Sequence, residues 1–313
     1  MDRSIRRATV VLAAIAIMSN IDVQALAAPT YTDWSTPTSL GAVVNSSAED
    51  AGPAISKDGR TLYFYSTRSG GAGGEDIYVS YRSSTDGPWG TPMALGPTIN
   101  TTTNERVPAF SRDGHWMFFA RGPAGALDLW ASYRQHSAED FGEFGWRTAQ
   151  PISSLNTPFG EAGPSFFQDE EVGATYLYFN STRPGGAGAQ DIYVSVRQLD
   201  GSFGGVSNVA ELNSPFIDAR GSVGHDGLEI VFLSNRQTGS PLGQLDLWYS
   251  SRANTTSAWS TPTSLVMLNT PANDYTPYLS PDGGAIFFAS ERPGGLGLGD
   301  LYMSTRSKIH GAP

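Results

Sequence analysis

The chain repeats itself five times, and that leaves few folds open to it. Asparagines fall at 45, 100, 156, 213 and 269, so the steps are 55, 56, 57 and 56 residues. One phrase recurs in every step. Its first copy runs through Ser56-Lys57-Asp58-Gly59, Leu62-Tyr63-Phe64, Ser66-Thr67-Arg68, Gly70-Gly71 and Asp76-Ile77-Tyr78. Its last runs through Ser280-Pro281-Asp282-Gly283, Ile286-Phe287-Phe288, Ser290-Glu291-Arg292, Gly294-Gly295 and Asp300-Leu301-Tyr302. A period of this length, slightly above ~40–50 residues, is that of a propeller blade with generous loops.

Each unit parses into four strands. The innermost leads to an Asp-Gly turn, a short-hairpin signal. The second is the Leu-Tyr-Phe type of run, nearly all apolar, as a strand covered on both faces must be. The third is the Asp-Ile-Tyr run. The fourth carries Trp34, Trp89, Trp146 or Trp259, whose large rings are read as blade packing. No window after residue 27 has a convincing helical period. The first fourth-strand phrase precedes the first set of three strands, and the last set ends at Arg306 with no fourth strand after it. The expected fold is therefore all-β: a five-bladed β-propeller of four-stranded blades, closed by pairing the N-terminal strand with the C-terminal blade. Closure removes exposed edges. An open sandwich or two small domains would not need complementary ends.

These units resemble PD40 repeats, the WD40-like repeats of TolB-type propellers, through their Ser-Pro-Asp-Gly, Ser-x-Arg, Gly-Gly and Asp-Ile-Tyr elements. The resemblance covers nearly all of residues 30–306. It implies the propeller and an exported protein, and leaves function open, because propellers host many activities. This chain has five repeats where the TolB propeller has six.

Residues 1–27 read as a signal peptide. Arg3, Arg6 and Arg7 precede the apolar run Val10–Met18, and Ala25-Leu26-Ala27 fits a small-x-small cleavage site. Residues 28–308 form the propeller and 309–313 a tail. The expected location is periplasmic or secreted, with no membrane span and a monomeric state. The chain has a net charge of -10. Removing residues 1–27 leaves 17 basic and 28 acidic residues, which argues against nucleic acid as a partner. With no cysteine, an exported chain must rely on its packed core.

Five residues after each asparagine stands an acid: Asp50, Glu105, Glu161, Asp218 and Asp274. The second strands return to the same face and end in Arg68, Arg121, Arg183, Arg236 and Arg292. These ten residues are the candidate ligand-binding set at the channel mouth. They also suit bidentate ion pairs that stitch blades. The main expectation is a non-catalytic module binding a glycan, a cell-envelope component or a protein partner. The alternative is a carbohydrate-active enzyme, a glycoside hydrolase or polysaccharide lyase, using two ring carboxylates, with Glu105, Glu161, Asp218 and Asp274 first in line.

A catalytic pair needs unlike surroundings, and the ring is nearly symmetric. Its symmetry breaks at Glu49 beside Asp50, Arg106 beside Glu105, Arg220 near Asp218, and Tyr275 beside Asp274. No cofactor is expected, although channel carboxylates would admit a calcium ion. The four histidines lack metal-ligand spacing, and no Gly-x-Ser-x-Gly elbow occurs. Arg82, Arg134, Arg197, Arg252 and Arg306, at the ends of the third strands, are expected to pair with the turn acids Asp58, Asp113, Asp226 and Asp282. Two irregular segments, Gln168–Gly173 and His136–Gly145, are secondary candidates because loops often carry function.

Overall fold

The computed structural model describes residues 30–135, 145–237 and 242–309. The expectations placed on residues 1–27, on most of the 136–145 segment and on residues 310–313 lie outside it. The described residues contain only strands, turns and loops. Strands β1 (Thr30–Tyr31) and β2 (Thr38–Ser39) precede the first blade. Blade one is β3 (Asp50–Ile55), β4 (Thr61–Ser66), β5 (Asp76–Tyr81) and β6 (Met93–Ala94). Blade two is β7 (Asn104–Phe110), β8 (Trp116–Gly122), β9 (Asp128–Tyr133) and β10 (Gln150–Pro151). Blade three is β11 (Glu161–Asp169), β12 (Ala174–Ser181), β13 (Asp191–Arg197) and β14 (Phe203–Asn208). Blade four is β15 (Asp218–Val223), β16 (Glu229–Ser234), β17 (Asp246–Ser251) and β18 (Thr263–Ser264). Blade five is β19 (Asp274–Leu279), β20 (Ala285–Ser290) and β21 (Asp300–Thr305), completed by β2. A final strand, β22 (Lys308–Ile309), pairs with β1.

The ring closes as its ends require. Thr38 and Ser39 pair antiparallel with Met303 and Tyr302. The inner strands contact one another in order from β3 to β19, and β19 returns to β3. The second strands are the core: every residue of β4 and β16 is buried. The outer strands are mostly two residues long and lie among prolines, which blunts the blade edges.

The repeat asparagines act as an added rung of the sheet. Each amide oxygen accepts the backbone N–H of the second residue of a third strand, and each amide nitrogen donates to that residue's carbonyl. The partners are Ile77, Leu129, Ile192 and Leu247 for Asn100, Asn156, Asn213 and Asn269. Asn45 makes the same pair with Leu301, at 2.8 and 3.1 Å, across the junction of the chain's two ends.

Two local features go beyond the sequence reading. The short hairpins at the Asp-Gly turns are four-residue loops: the Ser56 N–H donates to the Thr61 carbonyl across the hairpin, and the Gly59 N–H donates back to Ser56. Each inner strand also carries a bulge after the residue that follows its acid, Ala51, Arg106, Ala162, Ala219 or Tyr275. The residue at the bulge is left-handed in all five blades: Gly52, Val107, Gly163, Arg220 and Thr276, with φ between 50 and 62°. Glycine fits there at no steric cost, whereas Val, Arg and Thr carry backbone strain. Gly163 has a second reason, since a Cβ would lie 2.4 Å from the Asn180 amide oxygen and 3.0 Å from the Arg220 Cα.

Candidate functional site

The structure places the ten ring residues inside the blades. Asp50, Glu105, Glu161, Asp218 and Asp274 are fully buried. Each pairs with the arginine of its own blade: 2.5 Å for Arg68, 2.9 Å for Arg121, 3.2 Å for Arg183 and 2.7 Å for Arg292, with Arg236 in direct contact with Asp218. Each carboxylate also accepts the backbone N–H and the hydroxyl of the residue after the asparagine: Ser46, Thr101, Thr157, Ser214 or Thr270, at 2.6–3.0 Å. Each guanidinium donates further to the carbonyl before that asparagine, of Val44, Ile99, Leu155, Leu212 or Leu268. It lies over two aromatic rings of its blade at 4.3–5.3 Å. The acid's own N–H reaches the previous blade, bonding Gly299, Glu75, Leu127, Gln190 or Leu245 at 2.7–2.9 Å.

The stitching expected of these residues is thus present, with the ion pair inside one blade and the cross-blade link made by backbone. No ring carboxylate is left facing solvent for a ligand. In blade two the pairing is built differently. Arg121 occupies the rung filled by Ser66, Ser181, Ser234 and Ser290 elsewhere, and its Nε bonds Glu105 directly. Burial pushes the Glu105 carboxyl up, against the opposing pull of Thr101 and Arg121.

The arginines ending the third strands do not pair with the turn acids. Arg82, Arg134, Arg252 and Arg306 donate instead to the turn glycine carbonyls of Gly59, Gly114, Gly227 and Gly283. Each stacks on the tryptophan that precedes the outer strand (Trp89, Trp146, Trp259 and Trp34) at 4.2–4.3 Å, so these rings sit in the connecting segments and not in the fourth strands. The turn carboxylates of Asp58, Asp113 and Asp282 are occupied by the serine that opens their own loop. Arg306 pairs with Glu229 of the neighbouring blade. Arg197, in the blade with Phe203 in place of tryptophan, bonds Gly201 of its own hairpin.

What remains for function is the set of positions where the register does not repeat. The residues after the ring acids are Ala51, Arg106, Ala162, Ala219 and Tyr275, and those before them are Glu49, Asn104, Gly160, Ile217 and Asn273. The odd ones converge at the end of the ring where the inner strands begin. The Tyr65 and Tyr275 hydroxyls donate to one oxygen of Glu49, at 3.0 and 3.3 Å. Arg106 grips Glu75 with two parallel hydrogen bonds and lies 5.5 Å from the Tyr65 ring. Arg220 acts electrostatically on both Tyr65 and Arg106. Blade four adjoins neither blade one nor blade two, so Arg220 reaches them across the axis.

Tyr65, Tyr275 and Glu75 are buried and form a floor, while Glu49, Arg106 and Arg220 are partly exposed above it. Burial, with Glu49 adding, pushes both phenols well above the ordinary tyrosine value, so they stay protonated donors. Burial likewise draws Arg106 down. Gly299 makes room for this floor, because a Cβ there would sit 2.2 Å from the Tyr275 hydroxyl. An apolar cluster of Ala120, Leu127 and Ala162 lies near the same end of blades two and three. Polar groups that converge in a concave setting are the usual makings of a small-molecule site.

Glu49, Arg106, Arg220 and Tyr275 are legible as breaks in the repeat. Tyr65 and Glu75 were missed, although the same comparison finds them. Tyr65 stands where other blades have Ala120, Asn180, Leu233 and Ala289, and Glu75 where they have Leu127, Gln190, Leu245 and Gly299. Below the floor, the channel narrows to a cavity of about 30 Å³ among the bulge prolines and glycines. At the opposite face a cavity of about 260 Å³ lies beside Lys57, Arg112 and His225. Burial, aided by those two cations, holds His225 at a pKa of about 4. Among the described residues no three His, Asp or Glu side chains group as metal ligands.

No family model matches the sequence, and no curated protein matches it. Solved structures do match its fold. An α-L-arabinofuranosidase from Lactobacillus brevis is 12% identical with a TM-score of 0.57, over 84% of this chain and 92% of that one. A family-43 β-xylosidase/α-arabinofuranosidase from a compost microbial metagenome is 14% identical with a TM-score of 0.55, over 90% and 98%. TolB from Acinetobacter baumannii is 19% identical with a TM-score of 0.46, over 82% and 53%. At these identities the two glycosidases are relatives in fold, a five-bladed propeller, and the TolB likeness is too slight to carry argument.

Proposed function

We propose that this protein is carbohydrate-active and holds a saccharide at the axial mouth formed by Glu49, Tyr65, Glu75, Arg106, Arg220 and Tyr275. The observation that carries this reading is their convergence: the side chains that break the repeat, drawn from four blades, meet at one end of the channel. A structural role would repeat with the blades, as the ring ion pairs do. Carboxylates, phenols and guanidinium groups suit a sugar, whose hydroxyls both donate and accept hydrogen bonds. We also place the protein outside the cytoplasm, on the basic and apolar character of residues 3–18.

Between a passive binder and a glycan-cleaving enzyme, the likeness in fold to glycosidases favours the enzyme. The buried ring acids are then not the catalytic groups. The role falls to the mouth carboxylates, and first to Glu49, because Glu75 is committed to Arg106. The test is release of reducing ends from arabinan, xylan and pectic polysaccharides, with binding measured in parallel. Glu49→Gln is expected to cut turnover by about 10²–10⁴-fold while leaving the fold intact. Binding without turnover would make the protein the passive module. Neither binding nor turnover across the panel would remove the saccharide reading.

A further inference from the structure

The four charged groups at the mouth are not equivalent. Arg106 has Glu75, and Glu49 has two tyrosine hydroxyls. Arg220 has no partner of this kind among the described residues. Its backbone N–H bonds the Asn180 amide oxygen at 3.2 Å, but no hydrogen of its guanidinium bonds a described residue. Nη1 is covered by protein without a hydrogen bond. Nε and Nη2 are not covered in this way and make no bond either. A guanidinium carries five donors in a planar fork, so this one is presented unused in a partly buried setting.

Its placement is costly to the fold. The residue is left-handed, with φ of 54°, at the bulge where other blades have Gly52, Val107, Gly163 or Thr276. None of those is charged. A second cation, Arg106, stands across the mouth with its own acid already engaged. An unpaired charge, an unsatisfied N–H and a strained backbone at one residue mark a place where local rules yield to function.

We propose that Arg220 receives the carboxylate of an acidic saccharide, so that the mouth prefers glycans bearing uronic acids to neutral ones. This rests on the mouth being the saccharide site. The guanidinium fork matches a carboxylate with two parallel hydrogen bonds, a geometry that an ammonium group does not reproduce.

The test uses trigalacturonic acid and its methyl ester, which differ in charge and hardly in shape, with calorimetry on the wild type, Arg220→Gln and Arg220→Lys. The acid is expected to bind the wild type at least about tenfold tighter than the ester, as a charge-assisted pair allows. Arg220→Gln should erase that difference, and a cooperative thermal melt reports that the variant is folded. Arg220→Lys should restore only part of the difference. Equal binding of acid and ester, or a preference that survives in Arg220→Gln, overturns the inference and leaves the saccharide site standing. So does binding of neutral arabino- or xylo-oligosaccharides with none of the acid. If none of these sugars binds the folded protein, the inference and the saccharide reading fall together.

Discussion

Asp218→Ala should cost about 3–5 kcal/mol of stability and lower the melting temperature by about 10 °C. The reasoning follows from the pair's surroundings. Asp218 is fully buried and accepts from Arg236, from the Ser214 hydroxyl and from the Ser214 backbone N–H. Arg236 is itself buried between Phe232 and Trp248. Removing the acid leaves a guanidinium enclosed without its counter-charge and a backbone donor without an acceptor. Taking out both members, as in Asp218→Ala with Arg236→Met, should recover part of the loss, because the stranded charge disappears with its partner. Thermal melts of the two single variants and the double variant give the coupling. A ring that served as a ligand site would behave otherwise: Asp218→Ala would melt like the wild type and lose ligand.

Asn45→Ala should be the next most damaging change, at about 1–3 kcal/mol. Its amide fills both the N–H and the carbonyl of Leu301, at a site 2% exposed. Alanine would leave the buried Leu301 N–H without an acceptor, while the Leu301 carbonyl keeps the N–H of Leu40. The position matters more than the bonds alone suggest. Leu301 lies in the C-terminal blade and Asn45 near the start of the ring, so this contact and the β2–β21 pairing join the two ends of the chain. The four equivalent asparagines join segments close in sequence. Loss of Asn45 should therefore open the ring between blades five and one. Hydrogen exchange would show it as faster exchange in β21 and β3, with blades two and three little changed. Uniformly faster exchange would mean that the blades unfold as one unit without a weak seam.

The ring was readable from the sequence because every element of it occurs five times. The acid register, the arginine register and the missing fourth strand of blade five are all countable. What the sequence did not disclose is the depth at which the ring acids sit. An acid that opens an inner strand can face the channel or turn into the blade wall. The hydroxyls of Ser46, Thr101, Thr157, Ser214 and Thr270 decide this, by wrapping each carboxylate from the preceding loop. Arg82 and its counterparts were misassigned for a similar reason. The turn acids looked free, but loop-opening serines such as Ser56 already hold them. The left-handed bulges were hidden because Val107, Arg220 and Thr276 are residue types that seldom adopt that conformation. The mouth was half legible: its breaks beside the ring acids stood out, whereas Tyr65 lies in a strand whose repeat reads as core and Glu75 in the loop just before β5.

The central claim is that repeated positions build the ring while unrepeated ones build the site. Photo-cross-linking with a pectic oligosaccharide carrying a diazirine tests it most directly, with peptide mapping by mass spectrometry and unlabelled sugar as competitor. The account predicts competitor-sensitive labels on the peptides holding Glu49, Glu75, Arg106, Arg220 and Tyr275. Labels gathered at the opposite face, around Lys57, Arg112 and His225, would contradict it and move the site to the other end of the channel.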